Sequence, residues 1–92
     1  MAGQLENRVA LITGAGEGIG RGIANAFVKE GAKVVIAEIN AELGNAAVSE
    51  LGENAIFVET DVSVKEDNER MIAAAVDQWG TLDILVNNAW GG

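Results

Sequence analysis

The chain has 92 residues and a formal net charge of −8, and it contains no histidine, cysteine, proline or tyrosine. This length suits one small domain of marginal stability, and without cysteine or histidine the chain lacks disulfides, thiolate nucleophiles and the commonest metal ligands. The 14 acidic against 6 basic residues argue against nucleic acid as a partner, and because no stretch approaches the roughly 20 apolar residues of a membrane span, we expect a cytoplasmic domain with no membrane partner.

Four short runs of apolar, largely β-branched residues alternate with helical segments along the chain. The runs occupy residues 9–12, 34–37, 56–58 and 84–86. They are too continuous for a sheet with one face in water and are typical of parallel strands covered on both faces. The sequence therefore predicts four buried parallel strands.

The first two connecting segments have the marks of helices. Ile19, Ile23 and Phe27 recur every four residues, which places them on one apolar face. In the second segment Asn40 is a suitable N-cap and Gly52 a suitable terminator. Each predicted helix thus connects two consecutive strands.

The third helix is predicted to begin at Ser63, because Ser63 and Glu66 have the spacing of a capping box. Gly80 ends this helix. The helical period does not decide which of two adjacent apolar residues faces the core. The inner face contains Trp79 with one residue of each adjacent pair, Met71 or Ile72 and Ala75 or Val76.

The resulting β-α-β-α-β-α-β order requires right-handed crossovers between parallel strands. The economical product is an α/β fold, the N-terminal half of a doubly wound Rossmann-type sheet with strand order 3-2-1-4. On this interpretation residues 1–92 are an incomplete single domain. A flavodoxin-like sheet shows the same alternation and is the alternative.

A glycine-rich segment, TGAGEGIG at residues 13–20, joins the first strand to the first helix. A helix N-terminus binds anions when backbone N–H groups can approach them, and a side chain at the turn would block that approach. The spacing T-G-x-x-x-G-x-G fits with Thr13, Gly14, Gly18 and Gly20. A strand–helix turn without any ligand is the alternative interpretation.

Three motifs, each at the carboxyl end of a predicted strand, resemble the short-chain dehydrogenase/reductase family. They are the glycine segment, the pair Asp61-Val62, and LVNNA at residues 85–89. The resemblance covers essentially the whole chain. It implies an NAD-dependent oxidoreductase that acts on alcohol or carbonyl substrates, with a homo-oligomeric full-length parent.

The same resemblance implies a set of cofactor contacts. Backbone N–H groups from Glu17 to Ile19 would face the pyrophosphate, while Asn87 would brace the neighbouring strands. Asp61 and Val62 would meet the adenine, although Asp61 alone could simply start a turn. The implied cofactor-binding residues are Gly14, Glu17, Gly18, Ile19, Gly20, Glu38, Asp61, Val62, Asn88 and Ala89, the last two lining the adenosine ribose.

Two acidic residues predict NAD rather than NADP as the cofactor. Glu38 ends the second strand, where an acid can accept hydrogen bonds from both adenosine ribose hydroxyls. Glu17 lies in the glycine segment, where family members that prefer the phosphorylated cofactor often carry a basic residue. The alternatives are that Glu38 is a solvated strand end and that Glu17 is a helix-start acid favoured by the dipole.

The chain departs from the family pattern in two respects. Trp90 stands where the family has glycine, and the family's catalytic Ser and Tyr-x-x-x-Lys have no counterpart among the 92 residues. We therefore expect the nucleotide-binding part of a longer enzyme, with no catalytic residue of its own. A stand-alone, non-catalytic NAD-binding module and a protein that pairs through an exposed sheet edge are the alternatives.

Overall fold

The computed structural model describes residues 3–88. Its centre is a four-stranded parallel sheet with the order β3-β2-β1-β4. The strands are β1 (Val9–Thr13), β2 (Lys33–Glu38), β3 (Ala55–Glu59) and β4 (Ile84–Val86). This order confirms the predicted doubly wound sheet and excludes the flavodoxin-like alternative, in which the first strand lies between the second and third.

Three helices cover the two faces of this sheet. They are α1 (Gly18–Lys29), α2 (Ala41–Leu51) and α3 (Lys65–Trp79), and a 3-10 turn (Gly52–Asn54) follows α2. One apolar core joins α1 and α2 to the sheet through Ala24 and Ala47. A second core joins α3 to the opposite face through Met71 and Ala75. The helices therefore cover both sides, as the crossovers require.

Burial is complete at the centre of the sheet and falls toward its edges. Every residue of β1 is buried, and so are all residues of β2 except the half-buried Lys33. On β4, in contrast, Leu85 is 55% exposed although its register partner Leu11 is fully buried. The predicted coverage on both faces thus holds for the two central strands.

In the part of the chain described, no helix is long and apolar enough to cross a membrane.

The structure corrects the predicted apolar face of α1. Ile23 and Phe27 pack against the core, but Ile19 is 78% exposed. It lies in the first turn of α1, at the carboxyl end of the sheet and past the core. The four-residue spacing therefore assigned Ile19 to the apolar face, although Ile19 does not contact the core.

The predicted cap of α3 is wrong as well. The N-cap is Val64, without a side-chain bond, and the Ser63 hydroxyl donates instead to Oδ1 of Asp61 at 2.6 Å. The cap of α2 is confirmed, because Oδ1 of Asn40 accepts from the Leu43 N–H at 3.1 Å. A local acceptor close to Ser63 thus competes successfully with the helix end.

Candidate functional site

The glycine-rich loop between β1 and α1 uses its glycines for different geometric reasons. Gly14 and Gly18 have φ angles of 66° and 62°, in the left-handed region that glycine adopts without strain. At Gly20 a Cβ atom would lie 2.3 Å from the carbonyl oxygen of Gly14 and 2.6 Å from Nδ2 of Asn88. The loop therefore folds back onto the start of α1 with no room for a side chain.

The N-terminus of α1 presents unpaired backbone donors beside this loop. The N-cap, Glu17, is extended and its side chain makes no capping bond, and the first backbone bond into the helix is the Arg21 N–H to the Glu17 oxygen. The first N–H groups of a helix have no partner within it and favour anions. Ile19 lies exposed at the same end, so access to these donors is open.

Glu38, at the end of β2, is buried and bonded on both carboxylate oxygens. Oε1 accepts from the Gly16 N–H at 2.9 Å, and Oε2 accepts from the Asn40 N–H at 3.0 Å. The residue is 8% exposed, which contradicts the interpretation as a solvated strand end. Glu38 thus connects the glycine-rich loop to the start of α2.

Asp61 follows β3 and closes a small turn. Its Oδ1 accepts from both the N–H and the hydroxyl of Ser63, at 2.9 and 2.6 Å. Its own N–H donates to Oδ2 of Asp67 at 2.9 Å, and the Val62 oxygen accepts from Nδ2 of Asn68. The side chains that fix Asp61 and Val62 therefore come from the turn and from the beginning of α3.

Replacing Ser63 with alanine is expected to raise the pKa of Asp61. The Ser63 hydroxyl, followed by its N–H, holds the pKa of this carboxyl below its ordinary value. A depressed pKa adds stability above the ordinary Asp value of about 3.9, and this stability is lost as pH falls through the folded value. The check is an NMR titration of the Asp61 carboxyl carbon, with Ser49→Ala on α2 as control. An unchanged pKa in Ser63→Ala would contradict the assignment.

A cleft opens at the carboxyl ends of β1, β2 and β3. It holds about 320 Å³ of empty space, part of it continuous with solvent. Predicted site residues and unpredicted ones contribute to it together. Its lining consists of Gly14, Ala37, Glu38, Ile39, Thr60, Asp61 and Val62.

Thr13 connects the end of β4 to the end of β1. Its hydroxyl oxygen accepts from the Asn88 N–H at 2.8 Å and lies 3.4 Å from Oδ1 of Asn87 and from the Val86 oxygen. Nδ2 of Asn88 lies 3.4 Å from the Gly14 oxygen. The asparagine pair is thus held against the first strand and the glycine-rich loop.

The structure brings most of the predicted residues together. Gly14, Glu38, Asp61 and Val62 line one cleft, and Gly20 and Asn88 lie against Gly14. Glu17, Gly18 and Ile19 form the end of α1 instead and do not line the cleft. Ala89 and Trp90 lie outside the described residues.

Two residues of the cleft, Thr60 and Ile39, belong to none of the sequence motifs. Thr60 is buried in the cleft wall, and its N–H donates to the backbone carbonyl oxygen of Glu38. Ile39 lines the cleft although it is 61% exposed. Their position in the sequence could have indicated them, because Ile39 directly follows β2 and Thr60 directly follows β3. Among residues 3–88, no group of three or more acidic side chains could hold a metal ion.

A doubly wound sheet with a glycine-rich turn after its first strand and an acid at the end of its second is the arrangement typical of dinucleotide-binding folds. The family model described as short chain dehydrogenase matches residues 8–91. The chain therefore belongs to the short-chain dehydrogenase family.

Proteins with different named activities are similar to this chain over most of its length. Sorbitol dehydrogenase from Cereibacter sphaeroides is 46% identical over 94% of the chain and 34% of its own length. The 3-ketoacyl-(acyl-carrier-protein) reductase from Brucella melitensis, solved in complex with NADH, has a TM-score of 0.91 and 45% identity, covering 94% of this chain and 35% of that one. A hydroxysteroid dehydrogenase from Escherichia coli has a TM-score of 0.88 and 40% identity, covering 92% and 37%. The chain spans about a third of the length of these relatives.

Proposed function

We propose that the chain is the cofactor-binding part of an oxidoreductase that uses NAD in preference to NADP, within one domain of a homo-oligomeric parent. The observation that carries this proposal is the buried carboxylate of Glu38 in the cleft wall. Each carboxylate oxygen can accept more than one hydrogen bond, so the bonds from Gly16 and Asn40 leave capacity for ribose hydroxyls. The NADH complex of the Brucella melitensis relative supports the same choice.

The remaining site residues have assigned roles in this proposal. Backbone N–H groups at the start of α1 bind the pyrophosphate, since the helix end and its positive φ glycine leave them accessible. Asp61 and Val62 meet the adenine at the far side of the cleft. Asn88 and Ala89 line the adenosine ribose. The bound nicotinamide supplies hydride chemistry toward an alcohol or carbonyl substrate.

Titration of the 92-residue chain with NADH and NADPH tests this proposal. Nicotinamide fluorescence and calorimetry measure both affinities directly. We expect weak binding of NADH and weaker binding of NADPH. Equal affinities, or the absence of any binding, would contradict the proposed cofactor role.

The chain alone is expected to catalyse no hydride transfer with any pairing of alcohol and NAD. Proton transfer at the substrate oxygen needs a positioned acid or base, and the chain has no tyrosine, histidine or cysteine to supply one. The measurement is absorbance of NADH at saturating alcohol, with a complete family member as the positive control. Turnover above a blank would show that a carboxylate or lysine performs the step.

A binding role through the sheet edge is the second candidate. Leu85 is exposed on β4, which forms one edge of the described sheet. Exposed apolar edges favour strand pairing with another chain. Sedimentation equilibrium separates the two functions, because edge pairing predicts a concentration-dependent mass that NADH leaves unchanged.

A further inference from the structure

Gly16, inside the glycine-rich loop, is held by two oppositely charged side chains. Its N–H donates to Oε1 of Glu38 at 2.9 Å, and its carbonyl oxygen accepts from Nη1 of Arg21 at 3.2 Å. Gly16 is buried, and a Cβ there would lie 2.7 Å from Glu38 Oε1 and 2.8 Å from Cβ of Leu43. The position of this residue is therefore set by Glu38 from one side and Arg21 from the other.

The Arg21 guanidinium is itself fixed from outside the cleft. Nη2 of Arg21 donates to Oε2 of Glu50 at 2.7 Å, and Nδ2 of Asn25 donates to Oε1 of the same carboxylate at 3.3 Å. Glu50 lies near the end of α2, 29 residues further along the chain. Arg21 thus connects three elements, namely the loop, α1 and α2.

Peptide geometry gives this connection a consequence for ligand binding. The peptide between Gly16 and Glu17 is planar and trans, so its N–H points opposite to its C=O. Because Arg21 holds the Gly16 oxygen, the Glu17 N–H is directed away from Arg21. Glu17 is the N-cap of α1, and its N–H is one of the donors assigned to the pyrophosphate.

We propose that Arg21 is a positioning residue for the nucleotide: it orients the Gly16–Glu17 peptide by bridging the Gly16 oxygen to Glu50. Arg21 makes no contact with the nucleotide in this role. The link to nucleotide affinity rests on the proposed function, whereas the orientation of the loop does not. The surface ion pair contributes little energy by itself, and its part is to hold the guanidinium in place.

The test compares Arg21→Gln with Lys29→Gln, which removes the same charge from the exposed end of the same helix. NMR measures the carbonyl shift of Gly16 and the amide shifts of Glu17 and Gly18, well below the melting temperature. NADH affinity is measured in parallel. We expect Arg21→Gln to move the Gly16 carbonyl shift and both amide shifts and to weaken NADH binding about three- to tenfold. Lys29→Gln is expected to leave them unchanged, and Arg21→Lys to be intermediate.

The possible outcomes separate the two proposals. A lower melting temperature in Arg21→Gln, with loop signals and NADH affinity equal to those of Lys29→Gln, would show a merely structural role and overturn the inference. Loop signals that respond in a chain that binds no NADH would support the orientation by Arg21 and reject the proposed function. If Arg21→Gln does not fold, Glu50→Gln provides the same comparison, with a smaller shift in the same direction expected.

Discussion

Gly20→Ala is expected to destabilise the fold by about 3 kcal/mol and to abolish measurable NADH binding. The added Cβ would lie 2.3 Å from the Gly14 oxygen and 2.9 Å from the Gly14 carbonyl carbon. Both are backbone atoms, so no rotation of a side chain relieves the contact. Either α1 or the end of β1 must move, and the proposed pyrophosphate site lies between them.

The matched control is Gly22→Ala. Gly22 lies in the same helix and its Cβ would have no atom within 4 Å. Alanine there is expected to stabilise the chain by up to about 1 kcal/mol through helix propensity. Urea unfolding gives both stabilities, and fluorescence gives both NADH affinities. If Gly20→Ala were as stable as Gly22→Ala, the close approach of α1 to Gly14 would be wrong.

The strands follow directly from the sequence, whereas the alternation of strands and helices left their order open between the doubly wound and the flavodoxin-like sheet. Continuous apolar runs indicate strands buried on both faces, and the handedness of crossovers leaves few arrangements of four parallel strands. The inner face of α3 could not be chosen, because Met71 and Ile72 are adjacent and both apolar. Packing selects Met71 and leaves Ile72 exposed.

The sequence predicts the part of the site whose geometry depends on residue spacing within one segment. It does not predict the part that depends on contacts between distant segments. The turn and helix start require glycine at Gly14, Gly18 and Gly20, so the motif itself indicates the loop. The bond of Glu38 to Gly16 joins residues 22 apart in sequence, and no local pattern indicates it. The same holds for Gly44, where a Cβ would lie 2.1 Å from the ring of Phe57.

Neutralising Glu38 is expected to weaken the proposed preference for NAD over NADP. A 2′-phosphate carries about −1.5 to −2 charges near neutral pH. At about 5 Å and an effective dielectric of about 20, a unit like-charge pair costs about 3 kcal/mol. Salt and solvent reduce this to about 1–3 kcal/mol, which is roughly a ten- to hundredfold discrimination.

Neither Arg21 nor Lys33 is free to offset this repulsion. The Arg21 guanidinium is committed to Glu50 and the Gly16 oxygen. Nζ of Lys33 donates to Oδ1 of Asn54 at 2.7 Å, and Lys33 begins β2 at the end opposite to Glu38. Neither side chain therefore supplies a counter-charge for a 2′-phosphate beside Glu38.

The experiment grafts residues 1–92 onto a complete family member and measures kcat/KM with NAD and NADP. Glu38→Gln is compared with Glu17→Gln, which removes the same charge from the exposed N-cap of α1. Glutamine keeps one oxygen for the Gly16 and Asn40 amides, so part of the loop support is lost for both cofactors alike. The ratio of the two efficiencies cancels that shared loss.

We expect Glu38→Gln to lower the NAD:NADP ratio roughly ten- to hundredfold and Glu17→Gln to lower it less. An unchanged ratio in Glu38→Gln, or an NADP preference of the unmodified graft, would mean that Glu38 supports the loop but does not select the ribose.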